Sequence, residues 1–317
     1  MIDVRGLSKH YGQVRAVDDL TFSVKSGVVT GFLGPNGAGK STTMRMILGL
    51  DDPTTGTATI GGRHYREFRR PLTEVGALLD AKAVHPNRSA AHHLRWLAQA
   101  NGVPLSRVDE VLGLVGLSEV AGKKAGGFSL GMGQRLGLAG ALLGDPGVLI
   151  LDEPVNGLDP EGIRWVRGLL QSFAAEGRTV LVSSHLLSEM ALTADHLVVI
   201  GRGRLVADTG THAFIRDHSA SQVVVRTQHH GEFLGALRDE GIDCSVGTDE
   251  EGRATIEIPD RQTDEIGALA YSTGVMLDEL TQRRASLEDA FMEMTSDAVQ
   301  YHAAVGETAG PRRTEEN

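Results

Sequence analysis

A glycine-rich stretch near the N-terminus has the residue types that hold a polyphosphate. GPNGAGKS, residues 34–41, fits the pattern G-x-x-x-x-G-K-[ST]. Its glycines let backbone N–H groups face phosphate oxygens, and a following helix N-terminus favours negative charge. We expect Lys40 to reach the β- and γ-phosphates and the Ser41 hydroxyl to ligate magnesium. The predicted phosphate-binding residues of this stretch are Gly34, Pro35, Asn36, Gly37, Ala38, Gly39, Lys40, Ser41 and Thr42.

Two carboxylates end an apolar stretch farther along the chain, in VLILDEP at residues 148–154. A strand end beside a phosphate loop needs an acid associated with magnesium, and Asp152 fits that role. Glu153 can polarise or deprotonate the attacking water. In isolation the string is an ordinary strand that runs into an acidic turn. Downstream of a phosphate loop, it indicates phosphoryl-transfer chemistry.

The surrounding elements predict an α/β fold. IDVRGLSK, LTFSVKSG and TATIGG are short and β-rich, which favours an antiparallel edge region. The glycine-rich loop lies between a buried strand and a helix. After a helical block at residues 89–143, VLILDEP begins an alternation of strands and helices, with one helix from His185. This order predicts a mainly parallel sheet with an inserted helical block.

A different pattern begins near residue 220. The segment order β-α-β-β-α-β predicts a small α+β, ferredoxin-like domain. Residues 221–317 carry 20 acidic and 8 basic residues, a net charge of −12, whereas residues 1–220 carry +2. We therefore predict a boundary near residue 220, with a phosphate-binding domain at 1–220 and an accessory domain at 221–297. The polar segment 298–317 is predicted to be a disordered tail.

Composition limits the possible partners and compartment. The formal net charge of −10 argues against nucleic-acid binding, which needs a basic surface. The single cysteine, Cys244, cannot form an internal disulfide and fits a reducing compartment. The apolar runs VLIL and LVVI are too short to cross a bilayer. We expect a cytoplasmic protein or one that is peripheral to a membrane.

GPNGAGKSTT and LDEPVNGLDP resemble the ATP-binding subunits of ABC transporters, and the resemblance covers about residues 2–220. It implies a P-loop NTPase core with a helical insert at about 81–143. It also implies that Glu153 is the catalytic glutamate, that Asp159 ends the D-loop and that His185 contacts the γ-phosphate. Tyr11 matches the aromatic residue that stacks on adenine. Without the resemblance, His185 would more often be a surface or capping histidine, and a lone tyrosine would mean little.

The stretch GGFSLGMGQRLGL, residues 126–138, matches the family signature incompletely. Taken alone it is an ordinary helix start with Ser129 as N-cap. In the alignment Ser129 and Gly131 are retained, Leu130 and Met132 depart, and a helix is expected from about Met132. The family dimerises head to tail, with each signature closing over the nucleotide of the other subunit. We therefore expect Ser129, Gly131 and Asp159 to contact ATP in trans.

Asp80 occupies the position where the family usually has a glutamine. A carboxylate there can still ligate magnesium or the water, but it adds negative charge beside the triphosphate. The departure at Asp80 and the departure in the signature both resemble the drug-resistance branch of the family, which includes bacitracin- and daunorubicin-type export ATPases. The segment LEDAF at residues 287–291 matches the C-terminal extension of that branch. The predicted magnesium ligands are Ser41, Asp80 and Asp152.

Three histidines close in sequence, His85, His92 and His93, could suggest a second metal site. No cysteine or second cluster has supporting spacing, so we interpret them as a solvated helix face. Magnesium is thus the one metal that the sequence predicts.

The predicted function is an ATPase subunit of an ABC exporter, which dimerises and powers a separate membrane permease from the inner face of the cell membrane. The resemblance implies efflux of an antibiotic or another small molecule. One alternative is an ABC ATPase that acts on ribosomes or DNA, although the long insertions or second ATPase unit of such proteins are missing. Another is a regulatory protein that holds ATP without useful turnover, suggested by Asp80 and Met132. The accessory domain could support dimerisation or regulate the permease.

Overall fold

The computed structural model describes residues 1–81, 83–185, 187–217, 222–249 and 251–283, together with Leu287 and Phe291. Within these ranges the N-terminal part contains a three-stranded antiparallel sheet of order β2-β1-β4. Its strands are β1 (Ile2–Tyr11), β2 (Val14–Val24) and β4 (Thr55–Ile60). This arrangement confirms the predicted antiparallel edge region.

A six-stranded sheet of order β5-β6-β7-β3-β8-β9 forms the centre of the same part. All its strand pairs are parallel except β8 with β9. The strands are β3 (Val29–Leu33), β5 (Val75–Leu78), β6 (Val148–Asp152), β7 (Thr179–Ser183), β8 (His196–Gly201) and β9 (Arg204–Gly210). The prediction of a mainly parallel sheet is confirmed.

Successive residues of the central strands enter two different cores, because side chains alternate across a sheet. Leu149 and Leu151 of β6 pack with the helices on one face. Ile150, between them, packs on the other face with the antiparallel sheet and with α1 (Lys40–Ile47). The central sheet is therefore buried on both faces, as continuous apolar strands such as VLIL require.

The remaining α-helices of this part connect successive strands along the chain or, in the case of the last one, follow strand β9. They are α2 (Pro71–Glu74), α3 (Ala90–Asn101), α4 (Ser106–Leu114), α5 (Leu130–Leu142), α6 (Pro160–Ala175), α7 (Leu187–Thr193) and α8 (Thr211–Asp217). Helix α5 begins at Leu130 rather than near Met132, because Ser129 Oγ accepts the Met132 N–H at 3.2 Å and caps the helix. Helix α7 likewise begins at Leu187, after His185.

The C-terminal part forms a four-stranded antiparallel sheet of order β11-β12-β10-β13. Its elements are β10 (Gln222–Arg226), α9 (His230–Asp239), β11 (Ser245–Thr248), β12 (Ala254–Pro259), α10 (Thr263–Thr273) and β13 (Glu279–Arg283). The apolar side chains of β10 and β12 pack with Phe233 of α9 and Ile266 of α10. The predicted ferredoxin-like order is confirmed.

Leu287 and Phe291 come from the LEDAF segment, and both are buried. They belong to the core on the helical face of the central sheet, in the same cluster as Phe214. The rest of LEDAF and the predicted tail at 298–317 lie outside the described residues. None of the helices in the described ranges combines the length and apolar character that crossing a bilayer requires.

Candidate active site

The glycine-rich loop connects β3 to α1, and its backbone conformation requires glycine. Gly37 and Gly39 have φ values of 80° and 103°, where residues with a side chain are strained. A Cβ on Gly39 would lie 2.5 Å from the Ala16 carbonyl oxygen. The loop therefore packs tightly against β2 while the first N–H groups of α1 stay available to an anion.

A cavity of about 240 Å³ lies beside this loop. Its lining comprises Ala16, residues 36–42, Asp152 and Glu153. The structure thus brings the loop and the acidic pair together, although more than 100 residues separate them. A larger groove of about 410 Å³ borders the first turn of α5, but its lining contains no carboxylate or ammonium group. The smaller cavity is therefore the candidate nucleotide site.

The Lys40 side chain is buried within the loop. Its Nζ donates to the Gly34 carbonyl at 2.5 Å and to the Pro35 carbonyl at 3.3 Å. Burial lowers the pKa of Lys40, and the nearby carboxylates of Glu153 and Asp152 oppose that shift. The ammonium group is therefore held by the loop carbonyls, and the charges of the acidic pair favour its protonated form.

Both oxygens of Asp152 are hydrogen-bonded to hydroxyl groups. Ser41 Oγ donates to Oδ2 at 2.6 Å, and Ser183 Oγ donates to Oδ1. Asp152 and Ser183 are direct partners in the β6/β7 register, which explains their proximity. A hydroxyl and a carboxylate next to a phosphate loop are hard oxygen donors, so this pair fits a magnesium ion.

The Glu153 carboxylate faces a histidine. Glu153 Oε2 lies 2.7 Å from His185 Nδ1, and both side chains are partly exposed to solvent. The Glu153 N–H donates to Ser183 Oγ at 3.0 Å, and its carbonyl accepts from Gln134 Nε2 at 2.8 Å. The arrangement holds a carboxylate at the cavity wall with an imidazole oriented against it.

Five of the residues predicted to act within one chain lie outside the lining of this cavity: Tyr11, Gly34, Pro35, Asp80 and His185. Tyr11 ends β1 and is 51% exposed, and its hydroxyl donates to Asp51 Oδ2 at 3.4 Å. Asp80 is exposed and follows β5, whose Leu78 pairs with Leu151. Asp80 therefore lies at the same edge of the sheet as Asp152. The roles assigned to Tyr11 and Asp80 stay predictions.

The three residues predicted to act in trans sit at helix N-termini, away from the lining of their own cavity. Ser129 caps α5, and Asp159 caps α6 by accepting the Gly162 N–H at 2.9 Å. Gly131 lies so close to Gly157 that a Cβ on it would be 3.0 Å from the Gly157 carbonyl oxygen. The signature and the D-loop are therefore neighbours within one chain.

Sequence reasoning missed Gln134 and Ser183, both buried and both bonded to the Glu153 backbone. Each had a signal. Ser183 is a polar residue at the end of the apolar strand TVLVS, and Gln134 lies among the apolar residues of α5. Such residues need hydrogen-bond partners once they are buried.

The three histidines differ in environment. His92 Nδ1 lies 2.9 Å from Ser89 Oγ at the start of α3. Burial, with a smaller contribution from Arg88, lowers the pKa of His93. Among the described residues, no three His, Cys, Asp or Glu side chains are grouped so that they could hold a metal ion.

Comparisons with known proteins agree with the resemblance to ABC transporter ATP-binding subunits. The family model described as "ABC transporter" matches residues 17–156, and a domain of unknown function (DUF8746) matches residues 221–288. The bacitracin transport ATP-binding protein BcrA of Bacillus licheniformis is 37% identical over 298 residues, covering 93% of this chain and 97% of that protein. YhcH of Bacillus subtilis (strain 168), an uncharacterized ABC transporter ATP-binding protein, is 36% identical over 310 residues, covering 94% and 96%.

Solved structures match about two thirds of the chain. An ATP binding subunit of an ABC transporter has a TM-score of 0.63 and 28% identity, covering 68% of this chain and 92% of its own. The dimeric bacterial ABC transporter cassette MJ0796 has a TM-score of 0.61 and 23% identity, covering 67% and 99%. At that identity the second likeness supports the fold alone.

Proposed function

We infer the function from the family: this chain belongs to the ATP-binding proteins of ABC transporters, and we propose that its ATPase activity drives export through a separate membrane permease. The observation that carries the catalytic part is the position of Glu153. Its carboxylate lines the cavity of the phosphate loop and contacts His185. A base at that place can act on a water that attacks the terminal phosphate.

The proposed reaction is hydrolysis of the terminal phosphoanhydride bond. The loop N–H groups and Lys40 bind the phosphates, and Glu153 accepts a proton as a water oxygen bonds to the γ-phosphorus. The bond from the γ-phosphorus to the β,γ-bridging oxygen breaks, which releases ADP and phosphate. His185 orients the Glu153 carboxylate through the 2.7 Å contact.

Magnesium is part of the proposal. Ser41 and Asp152 would hold the ion, because their oxygens already lie together beside the loop. Asp80, at the same sheet edge, is a third candidate ligand. A bound magnesium ion would neutralise charge on the phosphates.

The second half of the site is proposed to come from another copy of the chain. Ser129 and Gly131 lie at the N-terminus of α5 and Asp159 at that of α6, where helix N-termini favour anions. They do not belong to the lining of the cavity in their own chain. A head-to-tail dimer would place them over the nucleotide held by the partner.

The transported substrate is proposed from relatives. A relative at 37% identity is a bacitracin transport ATP-binding protein, and another at 38% over 208 residues is the lantibiotic transport ATP-binding protein SrtF of Streptococcus pyogenes. We therefore propose efflux of an antibiotic or similar small molecule, with this subunit at the inner face of the cell membrane. The proposed domains are 1–220 for ATP hydrolysis and 221–297 as an accessory unit.

Replacement of Glu153 tests the catalytic assignment. Glu153→Gln keeps the size of the side chain but removes the base, so turnover should fall by about a hundredfold or more. ATP binding should persist, because Lys40 and the loop are unchanged. Glu67→Gln, at an exposed position outside the cavity lining, is the control and should leave turnover unchanged. Normal turnover by Glu153→Gln would contradict the assignment.

The permease is tested separately. Co-expression with the membrane protein encoded by a neighbouring reading frame should give a complex whose ATP turnover responds to that protein. If the two proteins do not copurify and turnover is the same with and without that protein, it is not the partner.

A further inference from the structure

The backbone at Glu153 has a conformation that its residue type disfavours. Its φ is 51°, in the left-handed region where Cβ crowds the backbone. Three of the five non-glycine residues with positive φ in the described ranges are aspartates, whose short polar side chains tolerate this region better. Glu153 lacks that advantage, so contacts around it must hold the backbone in place.

Two buried side chains provide those contacts, one on each side of the residue. Ser183 Oγ accepts the Glu153 N–H, and Gln134 Nε2 donates to the Glu153 carbonyl. Ser183 is fully buried and Gln134 is 5% exposed. The first contact lies within the central sheet, but the second comes from α5, the helix that Ser129 caps. The peptide after Glu153 is therefore fixed by the signature helix of the same chain.

A second contact joins the same two segments. A Cβ on Gly157 would lie 2.3 Å from Leu130 Cδ2, so the Leu130 side chain fills the space beside Gly157. Leu130 and Gln134 are four residues apart in α5 and project from the same face of the helix. The first two turns of α5 therefore pack along residues 153–157.

We propose that Gln134 is a positioning residue for Glu153. Its amide fixes the strained peptide and so aims the carboxylate at the cavity and at His185. An apolar side chain would fill this buried position at a lower desolvation cost, so the amide is explained by the carbonyl it reaches. The inference rests on the proposed function, in which Glu153 is the general base. Under this proposal α5 connects two sites. Its N-terminus carries Ser129 and Gly131, which face the partner, and its Gln134 holds the base Glu153 of the same subunit.

Two substitutions remove the donor and keep the bulk: Gln134→Leu and Gln134→Met. Each should lower kcat about tenfold or more, because a displaced base loses its alignment with the attacking water. The KM for ATP should stay within about twofold, because the phosphate contacts are unchanged. Having two variants of different shape guards against a failure of one of them to fold. Unchanged kcat in both, or a rise in KM at constant kcat, would overturn the proposal.

Gln171→Leu is the matched control. The Gln171 amide also donates to a backbone carbonyl, that of Leu192, at 3.0 Å, but it lies on α6 away from the cavity. The same substitution there should leave kcat unchanged. An equal loss of kcat at both positions would mean that the effect on turnover is not specific to Glu153.

A double substitution separates positioning from a merely structural role. In a Glu153→Gln background, Gln134→Leu should cause no further loss in the residual single-turnover rate, because its effect acts through the missing base. An equal drop in both backgrounds would refute the positioning role. If Glu153→Gln alone leaves turnover unchanged, the general-base assignment fails as well; if only the Gln134 variants are fully active, this inference fails by itself.

Discussion

The two halves of the proposed ATP site are built differently. In the phosphate-loop half, side chains from separate elements are bonded to one another, as Ser41 to Asp152 and Glu153 to His185. In the signature half, Ser129 and Asp159 accept N–H groups of their own helices. One half thus has its geometry within a single chain. The other presents two capped helix N-termini, which we propose contact the nucleotide of a partner subunit.

The largest difference between the halves should appear on removing Lys40. Lys40→Met removes the ammonium group from the loop, and the loss of charge-assisted phosphate contacts should weaken ATP binding by about a hundredfold. Lys123→Met, at an exposed position, is the control. Nucleotide titration of each purified variant measures the effect. Wild-type affinity in Lys40→Met would show that the loop is not the phosphate site.

In the signature half, Ser129→Asp should lower ATP turnover but leave ATP binding intact, the reverse of the loss of binding expected for Lys40→Met. Aspartate caps a helix as well as serine does, so α5 should stay folded. The added carboxylate would face the γ-phosphate bound to the partner, and turnover should fall about tenfold or more while ATP binding by one subunit is kept. Ser89→Asp makes the same change at the cap of α3 and should leave turnover unchanged. Loss of ATP binding in Ser129→Asp would place this serine in its own subunit's site.

The packing of α5 along residues 153–157, which connects the signature half to Glu153, is tested at Gly157. Its φ of 74° and its closeness to Leu130 both disfavour a side chain. Gly157→Ala should therefore lower the free energy of unfolding by about 2 kcal/mol. Leu130→Ala in the same chain should recover part of that loss, since it removes the two closest atoms. Denaturant unfolding measures both, and an identical cost with and without Leu130 would mean that the two residues do not touch.

The smallest effect is expected at Tyr11, which the structure does not place in the cavity lining. If the ring stacks on adenine, Tyr11→Ala should weaken ATP binding only about fivefold, whereas Tyr11→Phe should bind normally. Equal losses in both variants would instead implicate the hydroxyl contact with Asp51.

Site residues in a contiguous motif could be predicted from the sequence, whereas the tertiary contacts through which other residues act could not. Lys40 and Ser41 lie in one contiguous motif whose spacing fixes its chemistry, and Asp152 ends a recognisable apolar strand. Gln134 and Ser183 stand out in the sequence as polar residues of apolar elements, but the contacts through which they act form only when α5, β6 and β7 pack together, so the sequence does not reveal Glu153 as their partner. The contact of Leu130 with Gly157 is of the same kind. Helix α5 starts at Leu130, two residues before the expected Met132, because the Ser129 cap sets its first turn.

The central claim is that the two halves meet across two subunits, and mixing two inactive variants tests it most directly. Glu153→Gln and Ser129→Asp are combined as nucleotide-free proteins before ATP is added. In a head-to-tail dimer each mixed pair contains one unaltered site, so turnover should recover to about a quarter of the wild-type value. If both residues instead served the same subunit's nucleotide, the mixture would show no more turnover than its two components measured separately.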